Sequence, residues 1–485
     1  MLFNSLDFAL FLPIFFILYW FVTSKKLKLQ NLLIVIASYV FYGWWDYRFL
    51  ALIVFSTLID YIIGLEIWKA RDKKQRLKFY LLLVSIFVNV GFLGFFKYYN
   101  FFVENFISAF SFFGYEIGSS TLNIILPVGI SFYTFQTMSY TIDIYKGKLK
   151  PTKNFIGFAA FVSFFPQLVA GPIERATNLL PQILTKRKFD QNQAIQGLRL
   201  VLWGLFKKVV IADALAPSVD VIFSDYTTYP SQILIMGAVF FAFQIYCDFS
   251  GYSDIARGLA KFLGLELMVN FNFPYFSRSI AEFWRKWHIS LSTWFRDYLY
   301  IPLGGSRAGA SKSLRNVFII FLVSGFWHGA NWTFIAWGGI HALLFVPSFI
   351  TKNNRNHLED VMPNKYFLPS LRDTLQILYT FFIVTVAWVF FRANSIEAAI
   401  DYLYHIFQFD FSAITFLNPY DNQVLFKEYI YLIGLIVLEY LFITKLVNFY
   451  STNKVKGIIF DSVLFALIII NAPVSDSLSF IYFQF

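Results

Sequence analysis

Apolar segments follow one another along most of the chain and are separated by short polar or basic runs. They cover residues 8–22, 31–43, 48–68, 79–97, 123–145, 197–222, 232–249, 313–326, 332–350, 372–391, 427–446 and 456–471. A bilayer core of about 30 Å needs about 20 apolar residues per helix, so the shorter segments are expected to be tilted, paired or incomplete. The pattern predicts an all-α polytopic membrane protein with about eleven transmembrane helices and several partial ones.

Composition agrees with this prediction. Of the 485 residues, 58% are hydrophobic and 14% are charged, whereas a soluble protein has about 25% charged residues. The mean hydropathy is +0.59. A water-soluble core cannot bury this much apolar surface, so most of the chain is expected to lie in a lipid bilayer.

The net charge of +11 comes largely from short basic runs between the apolar segments. These runs are KKLK (25–28), KARDKKQRLK (69–78), KGKLKPTK (146–153) and TKRK (185–188). Basic loops of membrane proteins stay in the cytoplasm, so the charge predicts topology and argues against a nucleic-acid partner. The apolar run at 8–22 lacks a preceding basic region and a cleavage site, which predicts a first membrane anchor with an extracytoplasmic N-terminus.

Two segments differ from simple membrane crossings. Residues 153–185 lie between two basic runs and turn back at Pro166 and at Gly171–Pro172, which predicts a re-entrant segment. Such a segment requires protein or a water-filled cavity around its backbone. Residues 97–120 mix aromatic and polar positions, which predicts a helix at the outer membrane interface.

Internal repeats and a soluble domain are not evident, so the chain is interpreted as one integral membrane domain. Within it, the N-terminal helices occupy residues 1–120, the core 121–395 and the C-terminal helices 396–485. The single cysteine, Cys247, excludes an intrachain disulfide and a thiolate metal cluster. The five histidines lack the HxxxH spacing of a zinc site, so no metal is expected.

His328 stands at the end of an apolar run, in the stretch FLVSGFWHGANW (321–332). Gly325, Gly329 and Ala330 allow neighbouring backbones to approach closely. A lone histidine on an apolar face is often structural, but the glycines and the adjacent polar segments favour a functional role here. His341 follows 13 residues later, which in a helix is roughly the opposite face, so it is not expected to share the site.

His288 lies in FWRKWHISLSTWFRDYLY (283–300), where aromatic residues recur with helical spacing. The segment carries too many charges to span, so it predicts one amphipathic helix at the cytoplasmic interface with His288 facing inward. Either a satisfied interfacial histidine or a residue at the mouth of a cavity fits this position. The basic turn that follows contains Arg307 and is suited to an anionic phosphate.

A second polar interruption is QIYCDFSGYSD (244–254), which contains Asp248 and Asp254. Ionisable residues inside a span are functional candidates because an unpaired charge there costs several kcal/mol. The alternative is structural: a broken helix whose second half is capped by Ser253 or Asp254. The functional and the structural interpretation are both possible at once if Asp248 closes a polar network and Asp254 is the cap.

The chemistry open to these residues is narrow. The sequence has no GxSxG serine elbow and no phosphate-binding P-loop. A desolvated histidine has a lowered pKa and stays neutral, as a general base must. His328 is therefore predicted to take a proton from a hydroxyl that attacks an activated acyl group, with Asn331 or a backbone N–H stabilising the oxyanion.

Seven stretches together resemble the membrane-bound O-acyltransferase family, and within it the bacterial branch that serves O-acetylation of alginate and related polysaccharides. They are MLFNSLDFALFLPIFFILYW at the start, LPVGISFYTFQTMSYTIDIY (126–145), FFPQLVAGPIER (164–175), YCDFSGYSDIARG (246–258), FWRKWHISLSTWFRDYLYIPLGG (283–305), SGFWHGANW (324–332) and WVFFRA (388–393). Each is weak alone, but their number and order make the resemblance strong.

The resemblance implies a ring of transmembrane helices around a thinned centre, where funnels from the two membrane faces meet in a tunnel. It places the family's near-invariant histidine at His328 and its second histidine at His288. It also implies an acetyl donor such as acetyl-CoA or an acyl carrier as co-substrate, and no permanently bound cofactor. The expected acceptor is an exported polysaccharide, reached through an extracytoplasmic SGNH-type transferase.

Asp248 and Asn331 are predicted to support the two histidines, and Arg285, Lys286 and Arg307 to hold donor phosphate. Two alternatives remain at this point. One is transfer of D-alanyl or another acyl group to teichoic acid, lipid or protein. The other is a channel or transporter without chemistry of its own, which predicts inverted repeats that the sequence does not show.

Overall fold

The computed structural model describes residues 1–70, 74–112, 114, 122, 124–361, 368–410, 422–444, 454–472 and 480–481. Across these ranges the regular structure is helical, without β-strands. The helices are α1 (Leu6–Ile17), α2 (Leu27–Asp46), α3 (Leu50–Ala70), α4 (Gln75–Leu93), α5 (Tyr99–Phe112), α6 (Ile130–Tyr145), α7 (Phe155–Val162), α8 (Phe165–Leu168), α9 (Ala176–Leu184), α10 (Gln191–Leu205), α11 (Asp213–Ser224), α12 (Ser231–Phe262), α13 (Ile280–Lys286), α14 (Ile289–Phe295), α15 (Ala310–His328), α16 (Trp332–Ile350), α17 (Leu371–Arg392), α18 (Ile396–Phe407), α19 (Asn422–Ile443) and α20 (Lys454–Asn471).

Several helical stretches are long and apolar enough to cross a bilayer. Among the described residues these are Leu27–Ala70, Gln75–Phe112, Ser231–Phe262, Trp332–Ile350 and Leu371–Arg392, and two shorter apolar stretches are Leu6–Val22 and Gly457–Asn471. The first of them contains both α2 and α3. The prediction of an all-α polytopic membrane protein is confirmed, while the number of eleven crossings stays a prediction.

The chain forms two compact units. The first unit contains residues 1–198 and 255–268, and the second contains 199–254 and 269–485. All residues singled out as site candidates lie in the second unit. The three-part division predicted from sequence, with limits near 120 and 395, stays a prediction.

In the first unit, α3, α4 and α6 pack around a buried polar cluster. Asp60 accepts hydrogen bonds from Ser85 Oγ at 2.6 Å and Asn89 Nδ2 at 2.9 Å, and Thr137 Oγ1 donates to Asn89 Oδ1 at 3.0 Å. Because polar groups buried without partners are costly, this cluster fixes how the three helices face one another.

The predicted re-entrant segment consists of the short helices α7, α8 and α9. Helix is interrupted after Val162, and residues 169–175 form a second non-helical stretch. Side chains from Gly157 to Glu174 are buried. This covered, broken backbone has the form expected of a segment that turns back, and the membrane position of the turn stays a prediction.

The helix predicted at 97–120 is present over Tyr99–Phe112, and its position at the outer membrane interface stays a prediction. Residues Gly94–Tyr98 form a π-helical turn that joins α4 to α5, so the helix continues to Phe112. A π turn absorbs one extra residue without breaking the helix, so α4 and α5 form one continuous helix. Residues 113 and 115–121 lie outside the described residues.

The core of the second unit is built around α12, which runs without a break from Ser231 to Phe262. The predicted helix break at 248–254, with Asp254 as a cap, is therefore wrong. Asp248 pairs with Lys208 at 2.7 Å and Asp254 pairs with Lys207 at 2.6 Å. Because both carboxylates meet cations from the π-helical turn Phe206–Ala212, the polar residues fit within a continuous helix.

Helices α15 and α16 form an antiparallel hairpin whose backbones pack closely. A Cβ atom on Gly325 would overlap the carbonyl oxygen of Phe334, and one on Gly338 would overlap that of Phe321. A Cβ on Gly329 would overlap the Phe334 ring. The predicted close approach at Gly325 and Gly329 is confirmed, and it places the end of α15 against the start of α16.

Replacing Gly325 with alanine should force α15 and α16 apart and destabilise the second unit by about 1–3 kcal/mol, the usual cost of overpacking. Thermal unfolding of the detergent-solubilised full chain measures this loss. Gly339→Ala is the matched control, because its nearest atom would be Leu322 Cδ2 at 3.8 Å. Equal stability of the two variants would contradict the close packing assigned to Gly325.

Candidate active site

His328 is the last residue of α15 and is buried. Its ring packs on Trp327 with a centroid separation of 4.9 Å, on Trp337 at 5.2 Å and on Phe391 at 5.4 Å. These neighbours come from α15, α16 and α17. The imidazole therefore lies where three helices meet, in surroundings made mainly of aromatic rings.

His341 lies closer to this centre than helical counting predicts. Both His328 and His341 pack on Trp337, the latter with a centroid separation of 4.9 Å. The expectation that they occupy opposite faces is wrong because α15 ends at His328 and α16 starts at Trp332. The Nδ1 atom of His341 accepts a hydrogen bond from Trp284 Nε1 at 3.3 Å, which fixes its ring.

His288 lies between α13 and α14 with a left-handed backbone, at φ 43°. The single amphipathic helix predicted for 283–300 is therefore wrong. The first helix ends at Lys286, and a second starts at Ile289 before a π-helical turn over Arg296–Tyr300. A non-glycine residue in this conformation is strained and is held by its surroundings. The predicted inward position of His288 is confirmed, since the side chain is buried.

The ring of His288 is held by Asn270. His288 Nδ1 lies 3.1 Å from Asn270 Oδ1, which also receives the backbone N–H of Ser290 at 3.2 Å and the Ser290 hydroxyl at 2.9 Å. Because a backbone N–H can only donate, the atom that it meets must be the amide oxygen. His288 Nδ1 therefore donates its proton, and Nε2 carries the lone pair of a base.

His288 is neutral over the physiological range. Burial lowers the pKa of His288 from 6.5 to about 3, because desolvation disfavours the charged imidazolium. The rings of Phe249 and Phe271 pack on the imidazole at 4.6 and 6.2 Å. A neutral imidazole with a defined tautomer is chemically able to accept a proton.

The two histidines predicted to be catalytic come together around one indole. Trp327 lies 6.0 Å from His288 and 4.9 Å from His328 between ring centroids. The two histidines are 40 positions apart in the chain, and the fold brings both into contact with the same side chain. Their catalytic roles stay predictions.

Asp248 belongs to a buried ionic network. Lys208 Nζ lies 2.7 Å from Asp248 and 2.8 Å from Asp213, and the backbone N–H of Ile481 also donates to Asp248. The predicted network around Asp248 is confirmed. Its contacts hold α12 against the segment that joins α10 and α11, which is a structural function.

Asn331 caps α16. Its Oδ1 accepts the N–H of Thr333 at 3.0 Å, and its Nδ2 donates to the carbonyl of Asn394 at 3.2 Å. Oxygen and nitrogen of this amide are thus both engaged within the second unit. Asn331 follows His328 by three residues in the sequence. The action of Asn331 on an oxyanion stays a prediction.

Three basic side chains are predicted to hold donor phosphate, and the structure shows no contact partner that all three share among the described residues. Arg285 donates to the carbonyls of Asn354, Asn356 and His357 at 2.7–3.1 Å. Lys286 pairs with Glu282 at 3.1 Å and Asp360 at 3.3 Å. Arg307 is exposed in the turn Gly305–Ala308. The structure gives Arg285 and Lys286 structural partners, and the phosphate role of all three stays a prediction.

Sequence reasoning missed Asn270 and the indole of Trp337. Asn270 is the first of two asparagines in VNFNFPYF (269–276), a stretch that is otherwise apolar and aromatic. The two amides were a usable signal, because buried amides in apolar surroundings need partners. The role of Trp337 depends on the turn between α15 and α16, which the sequence pattern did not resolve.

The chain is similar to several known proteins. A model of the MBOAT family, membrane-bound O-acyltransferases, matches residues 149–389. A probable alginate O-acetylase of Azotobacter vinelandii is 42% identical over 402 residues, which cover 82% of this chain and 76% of that protein. A peptidoglycan O-acetyltransferase of Helicobacter pylori is 36% identical over 432 residues, covering 83% and 79%. A teichoic acid D-alanyltransferase of Streptococcus thermophilus is 30% identical over 247 residues, covering 46% and 57%.

The cap assigned to Asn331 predicts a distinctive pattern of variants. Asn331→Asp keeps the capping oxygen and loses only the Nδ2 hydrogen bond to Asn394, so it should retain transfer activity and most of its stability, while Asn331→Ala should cost about 1 kcal/mol of stability. Unfolding temperature and acyl transfer per milligram of folded protein measure the two effects. Loss of activity in a stable Asn331→Asp protein would show instead that the amide N–H acts in catalysis.

Proposed function

Because the chain belongs to the membrane-bound O-acyltransferase family, we propose that it transfers acetyl groups towards an exported, alginate-like polysaccharide. The relatives named as alginate O-acetylase and peptidoglycan O-acetyltransferase match about four fifths of the chain. Both names describe O-acetylation of a glycan. The D-alanyltransferase matches less than half of the chain, so acetyl is favoured over D-alanyl.

The observation that carries the proposal is the pair of buried histidines on Trp327. His328 removes the proton from an attacking hydroxyl, whose oxygen forms a bond to the acyl carbon of a thioester. The carbonyl electron pair moves to oxygen and then returns as the carbon–sulfur bond breaks. The departing thiolate takes up the proton, so the products are an acetyl ester and a free thiol.

His288 acts beside His328 in this scheme. Its Nδ1 proton is directed to Asn270, so its Nε2 lone pair is the basic site. Being neutral, it adds no fixed charge that would disfavour protonation of His328 during the reaction. The dry aromatic surroundings strengthen hydrogen bonds made to the reacting atoms.

The donor, partner and location form the finer part of the proposal. The donor is acetyl-CoA or an acyl carrier that supplies the thioester from the cytoplasm. The chain lies in the inner membrane with its N-terminus outside, and an extracytoplasmic SGNH-type transferase completes the modification. The basic residues Lys312 and Arg315 near the start of α15, and Lys352 and Arg355 after α16, support a cytoplasmic position for that end of the hairpin.

His328→Ala should reduce ester-bound acetate on the exported polysaccharide by about 10²–10⁴-fold, the usual contribution of a general base. The measurement is acetate released by mild alkali, normalised to membrane protein detected by immunoblot. His288→Ala is expected to cause a comparable loss.

The matched control is His405→Ala, because His405 lies in α18 and is partly exposed. Its acetate level should equal that of the wild type. Full acetylation by a normally abundant His328→Ala protein would contradict the proposed chemistry. Loss of ester-bound D-alanine instead of acetate would support transfer of a different acyl group.

A further inference from the structure

The segment after α12 pairs with both sides of the helix break that holds His288. The N–H of Asn272 donates to the carbonyl of Lys286 at 3.0 Å, before the break. After it, the N–H of Ile289 donates to the carbonyl of Asn270 at 2.9 Å. The break is therefore held from one side by a short, irregular piece of chain rather than by helix-to-helix packing alone.

The side chain of Asn270 lies at the centre of this arrangement and is buried. Its Oδ1 receives the three donors from His288 and Ser290. Its amide nitrogen donates to Ser253 Oγ on α12 at 3.1 Å. Since both ends of the amide are engaged, its orientation is fixed, and α12 anchors the group that holds the imidazole.

We propose that Asn270 is a positioning residue that fixes the ring orientation and the Nδ1-protonated tautomer of His288, and thereby sets the pH range of acyl transfer. The inference rests on the proposed function, because it assigns a catalytic task to His288. Asn270 itself has no contact with reacting atoms in this scheme.

A neutral acceptor is what this position requires. An amide oxygen fixes the tautomer without adding charge, whereas a carboxylate at the same place would stabilise imidazolium and raise the pKa of His288. The rings packed on His288 are Phe249, Phe271 and Trp327, and none of them is charged.

The charged residues Asp248, Asp254, Glu282, Arg285 and Lys286 on α12 and α13 have partners of opposite sign or backbone partners. On α12, Asp248 and Asp254 pair with Lys208 and Lys207. On α13, Glu282 pairs with Lys286 and Arg278, Lys286 also pairs with Asp360, and Arg285 binds loop carbonyls. Burial is accordingly the cause of the lowered pKa of His288.

The test compares pH profiles of Asn270→Asp and Asn270→Ala in the full chain. Inverted membrane vesicles receive acetyl-CoA labelled in its acetyl group, and alkali-labile label is measured from pH 5 to pH 9. The neutral form of His288 is the active form, so activity falls as the pH drops through its pKa. Wild type should show no fall caused by His288 in this range.

Asn270→Asp should retain at least one tenth of wild-type activity at pH 8, with a new acid limb between pH 5 and pH 7, where wild type shows none caused by His288. Asn270→Ala should lose at least 100-fold at every pH, because the tautomer and the ring orientation are no longer fixed. Asn316→Ala is the matched control, since Asn316 is a buried amide of the same unit that bonds to Leu303 and Arg315. It should lower stability without moving the pH profile.

Two results would overturn the inference: no new acid limb between pH 5 and pH 7 in Asn270→Asp, or activity at pH 8 no higher than that of Asn270→Ala. Expression and unfolding temperature of each variant separate these outcomes from misfolding. If His328→Ala loses acetyl transfer while Asn270→Asp keeps the wild-type profile, only the role of Asn270 fails. If His328→Ala transfers normally, the proposed function fails whatever Asn270 does.

Discussion

Burial of polar groups among aromatic and aliphatic side chains is the constraint on which the second unit depends. Away from water, each donor, acceptor and charge needs a partner within the fold. Lys207 and Lys208 meet Asp254, Asp248 and Asp213, and these pairs let α12 run unbroken through a polar stretch. Removing one member would leave a buried charge uncompensated, which is far more costly than losing the attraction between the two.

The same constraint shapes the histidine centre. His288 cannot hold a charge at low cost where it is buried, so it stays neutral, and the hydrogen bonds of Asn270 decide which nitrogen is basic. His328 is positioned differently, by glycine-mediated contact of α15 with α16 and by rings from three helices. Close packing thus fixes the surroundings of His328, and desolvation keeps His288 neutral.

The hydrophobic pattern was sufficient to predict the membrane-spanning class, most helix positions and the inward side chains of His288 and His328. It failed where backbone geometry depends on distant partners. The left-handed conformation of His288 is held by contacts with Asn270, which belongs to a different segment of the chain. The unbroken α12 depends on Lys207 and Lys208, which are hidden in an apolar run of the sequence. His341 was misplaced because helical counting was carried across a turn that the pattern did not reveal.

In the proposed function, His328 and His288 work as one acyl-transfer centre around Trp327. A double-mutant cycle tests it most directly, with ester-bound acetate formation measured for His328→Ala, His288→Ala and the combined variant. Residues that act as a unit give strongly non-additive losses. If the two histidines act as one centre, the double variant should be no slower than the worse single variant. Losses that simply multiply would contradict it and would show that the two histidines act independently.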